Sequence, residues 1–127
     1  MKFFGQKRVV KVDANYSQIA ELEKFWNELH EMYPGELLFG LGANMNNRTI
    51  DYYIGKVDEN WMGGSSVVEI PDDGWKEFSC EEDDTEIEKL YRSIFEQGTL
   101  DYELESMQNG IFVTKVHFAN KGENDEV

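Results

Sequence analysis

The sequence predicts an α+β fold: two βαββ repeats related by a pseudo-twofold, an antiparallel sheet, two helices on one face and a central cleft. Three observations predict it. Strand-like and helix-like patterns run in the order strand, helix, strand, strand, and that order then repeats. Residues recur with the elements: Ser17, Ile19 and Leu22 find counterparts in Thr85, Ile87 and Leu90, and YYIGKV from Tyr52 matches IFVTKV from Ile111. Two asparagine-containing turns, at Asn44–Asn47 and Met107–Gly110, stand between consecutive strand-like runs as hairpin connections do.

The elements follow in order. Phe3 to Asp13 is a strand, β-branched from Val9, and breaks at Asp13-Ala14-Asn15. Asn15 or Ser17 can cap a helix in which Ile19, Leu22, Phe25 or Trp26, Leu29 and Met32 recur at helical spacing. Tyr33-Pro34-Gly35 ends it, because proline disfavours helical backbone in the residue before it. Leu37–Leu41 and Ile50–Val57 are strands, and a glycine-rich loop covers 58 to 66. Val67–Ile70 is extended, Pro71-Asp72-Asp73-Gly74 turns, and Trp75–Cys80 is the next strand. A capping box, Thr85 to Glu88, opens a second helix whose stripe is Ile87, Leu90, Tyr91, Ile94 and Phe95, with Gly98 placed to end it. Asp101–Glu105 and Ile111–Phe118 complete the chain as a hairpin.

At 127 residues with 40% hydrophobic content, the chain suits one domain with one core. Residues 1–119 form it, and 120–127 read as a disordered acidic tail. Twenty-six acidic against 12 basic residues give a net charge of −14, which repels a phosphate backbone and disfavours direct nucleic-acid binding. No apolar run reaches the ~20 residues a spanning helix needs, and no secretory leader is evident, so no membrane partner and a cytoplasmic setting are expected. Cys80 is the only cysteine, which rules out an internal disulfide; two isolated histidines, His30 and His117, make no metal pair. No metal or cofactor is expected. Gly-x-Ser-x-Gly, a Ser/His/Asp set and His-x-x-x-His are all missing.

Several runs resemble the GyrI-like small-molecule-binding domain, the AraC-type effector-binding module of a SOUL-like βαββ-duplicated superfamily. They are Gln6–Val10, the Tyr-x-x-Gly strand Tyr52–Gly55, the passage VVEIPDDGWKEF from Val67 to Phe78, and the Leu90-Tyr91 pair. The likeness extends over nearly the whole chain up to Phe118. It implies a cleft between two βαββ halves, with aromatic walls and a buried acid, that holds bulky cationic or planar aromatic molecules. By that resemblance the acid is Glu103, in Tyr102-Glu103-Leu104, with Glu105 the alternative because the passage before it is short. It also implies roles in multidrug binding or bacterial transcription regulation, exerted through another protein since no helix-turn-helix is attached.

Candidate cleft residues besides these acids are Tyr52, Trp75, Trp26, Trp61 (as a lid) and Tyr102. Ring faces attract cations by about 0.5–2 kcal/mol, and a poorly solvated carboxylate gains by pairing with one. The expected function is therefore a stand-alone protein that senses or sequesters such ligands, as monomer or homodimer. If it is an enzyme, the resemblance implies hydrolysis of reactive cyclopropane-type electrophiles with Glu103 and Tyr52 as catalytic groups. A third expectation is a protein-interaction inhibitor of the gyrase-inhibitor kind, for which a partner protein would be required.

Overall fold

A computed structural model describes residues 1–12, 17–46, 48–61 and 63–119. The expected tail and the caps at Asn15 or Ser17 lie outside the described residues or side chains. The elements are β1 (Lys2–Lys11), α1 (Ser17–Met32), β2 (Phe39–Ala43), β3 (Thr49–Lys56), β4 (Ser66–Glu69), β5 (Trp75–Glu81), α2 (Asp84–Gln97), β6 (Leu100–Gln108) and β7 (Ile111–Phe118). This is the βαββ order twice over, with β4 added between the halves. All strand pairs are antiparallel, and the sheet order is β4-β1-β3-β2-β6-β7-β5. The first half therefore lies as β1-β3-β2 and the second as its mirror in order, β6-β7-β5. The two meet at a seam where Gly40 pairs with Glu105 and Gly42 with Glu103.

Alternation along the strands sorts the side chains between two faces. On one face, Val10, Tyr52 and Ile54 pack with Phe25, Leu29 and Trp26 of α1, while Val116 and Phe118 pack with Leu90, Tyr91 and Ile94 of α2. Both helices thus share a face. Helix α1 lies against β1 and α2 against β5, so the seam strands β2 and β6 run between them. The guanidinium of Arg8 sits 4.5 Å over the Phe25 ring and also pairs with Glu28, which fixes α1 to β1.

The opposite face carries Phe3, Leu41, Ala43 and Tyr53, all buried although no helix covers them. The connection from β4 to β5 explains it. Those strands are the two outer edges of the sheet, and only residues 70–74 join them. Seven flat strands would span about 29 Å, whereas six Cα steps reach at most about 21 Å. The sheet must curl, and its inner face packs on itself with Ile70 of the joining segment. No described helix is long and apolar enough to cross a membrane.

Candidate functional site

The candidate groove is the space between α1, which rests on β1, and α2, which rests on β5, with the seam strands as its floor. On one side of that floor β2 contributes only Gly40 and Gly42, and the side chains of Tyr52, Trp26 and Glu103 take up the space above them. A Cβ on Gly40 would come within 2.0 Å of the Tyr52 hydroxyl, and one on Gly42 within 2.9 Å of the Glu103 side chain. Two alternate glycines in a strand mark a close approach of this kind. The other side of the floor is acidic: Glu103 and Glu105 stand two residues apart on β6, on the same face. Each keeps a part of its surface exposed.

A chain of hydrogen bonds crosses the groove from helix to helix. Trp26 on α1 donates from Nε1 to the Tyr52 hydroxyl at 3.1 Å. Tyr52 on β3, 1% exposed, donates in turn to Oε1 of Glu105. Tyr91 on α2 donates to Oε2 of Glu105 at 2.8 Å, and its hydroxyl also lies 3.1 Å from Oγ1 of buried Thr114 on β7. The walls are stacked pairs: Trp26 with His30 at 5.4 Å on one side, Tyr91 with Phe95 at 5.9 Å on the other.

The electrostatics follow from burial without a counter-ion. Desolvation, then the charge of Glu105, push the Glu103 carboxyl up to about 8; the nearby Tyr91 hydroxyl opposes this only in part. Glu105 is raised too, chiefly by desolvation, with the hydroxyls of Tyr52 and Tyr91 working against the shift. A carboxylate with donors on both oxygens is the better-stabilised anion, so the geometry assigns the charge to Glu105 and the proton to Glu103. Burial and the neighbouring acids push both tyrosines well above their usual range, and they stay neutral donors. Among the described residues no Lys or Arg pairs with either acid, and no cluster of three or more His, Cys, Asp or Glu is placed to hold a metal.

The structure brings together four of the residues singled out from the sequence: Glu103, Glu105, Tyr52 and Trp26. It does not bring Trp75, Tyr102 or Trp61 to them. Trp75 and Tyr102 lie on the inner face, 6.2 Å apart and both against His117, with Trp75 Nε1 donating to the Pro71 carbonyl at 2.8 Å. Strand period two requires this, since Tyr102 and Glu103 are consecutive and must point to opposite faces. Trp61 is not over the groove. It donates to Glu36 at 3.2 Å and meets Tyr33 edge-on, so it anchors its loop at the end of α1. Lys56 shares the face of Tyr52 without opening it, because it lies at the strand end and pairs with Glu36 at 3.3 Å.

Sequence reasoning missed two features. Helical spacing puts Tyr91 in the core stripe, yet its hydroxyl is the link from α2 to Glu105; a tyrosine among the apolar residues of a buried stripe needs a polar partner and signals one. Gly40 and Gly42 carried the signal of alternate glycines in a short strand. Two concavities lie elsewhere. One of about 350 Å³ opens on the inner face beside Phe39, Trp75, Leu104 and Lys115, and one of about 420 Å³ is an open depression beside Lys2, Phe4 and Asp58. The acids that line them, Asp58, Glu59 and Asp72, are exposed, whereas Glu103 and Glu105 are largely withdrawn from solvent. Comparison with protein-family models, with curated proteins and with solved structures finds no match.

Proposed function

We propose that this chain is a ligand-binding domain of GyrI-like type, which takes a bulky, planar organic cation in the groove between α1 and α2. The observation that supports it furthest is the Glu103–Glu105 pair, drawn out of water at the seam and unmatched by any described basic side chain. A cation supplies the missing charge, and the Trp26/His30 and Tyr91/Phe95 stacks supply flat surfaces for its rings. In this reading the protein works in the cytoplasm and senses or sequesters its ligand stoichiometrically.

The test is a fluorescence titration with 10-methylacridinium, a planar and permanently charged probe, at about pH 7.5. Saturable one-to-one quenching of tryptophan is expected, weakened at least about tenfold in Glu103→Gln/Glu105→Gln, because a desolvated charge pair is lost. Undiminished binding by the doubly neutral variant overturns the reading. A hydrolase reading is favoured by one observation, a carboxyl that keeps its proton beside one that is ionised, both near tyrosine hydroxyls. Turnover of a strained electrophile, in place of stoichiometric binding, would distinguish it.

A further inference from the structure

Glu103 and Glu105 are alternate residues on one strand, with Cα atoms about 7 Å apart. Their cross-strand neighbours on the β2 side are glycines, and on the β7 side Val116 and Thr114, so no neighbour brings a positive charge. From β3 the facing titratable group is Tyr52, and from α2 it is Tyr91; both hydroxyls go to Glu105. From α1 the facing groups are Trp26 and, at the lip, exposed His30. The floor thus holds two acids with donors enough to stabilise one anion. A proton is the only cation in this arrangement that can occupy the second.

Building on the groove as the binding site, we infer that binding is an exchange: an organic monocation enters and the single proton shared by Glu103 and Glu105 leaves to solvent. The balance is simple. The empty floor carries one proton and one negative charge; the occupied floor carries the guest's positive charge and two carboxylates. A cation within about 4–6 Å of a carboxyl lowers its proton affinity by 1–3 pH units, which is enough to expel a proton held up to about 8 from the pair at neutral pH. The ligand class this selects is a permanently charged, singly cationic aromatic. A neutral ring system of the same shape finds a protonated floor and gains nothing from higher pH.

The experiment measures 10-methylacridinium binding to the full chain between about pH 6 and 9, with calorimetry near pH 7.5 in phosphate and in Tris, whose ionisation heats differ. Close to one proton released per bound probe is expected, with affinity rising at least about tenfold from pH 6 to 8.5 and levelling above. Glu103→Gln should bind with a flat pH profile, and the neutral 9-anthracenylmethanol should release no proton. A pH slope kept in Glu103→Gln overturns the exchange. Binding with no proton release and no pH dependence in the wild type overturns it too, while leaving the groove reading standing. Failure of the wild type to bind the cation at any pH removes both. The proton count needs no variant, so an unfolded Glu103→Gln protein does not blunt the test.

Discussion

Two acids side by side on one strand face carry a cost that grows with pH. For Glu103 the folded chain holds a proton up to about 8, whereas the unfolded chain releases it near the ordinary carboxyl value. Between those limits the folded state binds more protons than the unfolded state, so stability falls as pH rises and flattens above the upper one. The slope from this group is at most about 1.4 kcal/mol per pH unit. Urea unfolding at pH 5, 6, 7 and 8 should show wild type losing stability relative to Glu103→Gln across that window. A constant difference between the two would contradict the protonation assigned to Glu103. Part of the floor was legible in advance: Tyr52 and Trp26 stand out by residue type, whereas Glu103 and Glu105 are two of 26 acidic residues and only the family resemblance points to them. The partners of Glu105 were not legible, because a hydroxyl on a helix stripe looks like core until the facing strand is known. The inner-face position of Trp75 and Tyr102 was legible by strand parity and yielded to the pull of residue type.

At the level of elements, the strands and helices fall where periodicity places them, with ends displaced by a few residues. Strand β2 starts at Phe39 and not Leu37, and β6 runs on to Gln108. The second hairpin turns on Asn109 and Gly110, both with positive φ (54° and 78°), which the Asn-Gly pair tolerates best. Helix α2 shows why ends are hard to read. Asp83, Asp84 and Thr85 are all capable caps, and Thr85 with Glu88 forms the more recognisable pattern. The structure instead uses Asp83, whose carboxylate accepts from the Glu86 amide at 3.1 Å while its carbonyl accepts from Ile87. Asp83→Ala should therefore cost about 1 kcal/mol and Thr85→Ala no more than a few tenths, read from urea midpoints. Equal losses, or a larger one at Thr85, would return the cap to Thr85.

For the whole molecule, a net charge of −14 on 127 residues sets a self-repulsion that the curled sheet must hold together. Screening relieves it: the Debye length falls from about 10 Å at 0.1 M salt to about 3 Å at 1 M. The midpoint of thermal unfolding should rise over that range of sodium chloride, and a fall would show that specific surface ion pairs outweigh the net repulsion. The curl itself was hidden from local patterns. It follows from joining the outermost strands through residues 70–74, a constraint visible only when the strand order is known.

The duplicated architecture also bears on how a floor of this kind can arise. At the junction Gly40-Leu41-Gly42 runs antiparallel to Glu103-Leu104-Glu105. Two identical copies meeting about a true dyad would have to set Gly-Leu-Gly against itself, leaving no acid, or Glu-Leu-Glu against itself, crowding four carboxylates into one dry gap. Divergence between the repeats, and not their likeness, lets one donate the emptiness and the other the charge.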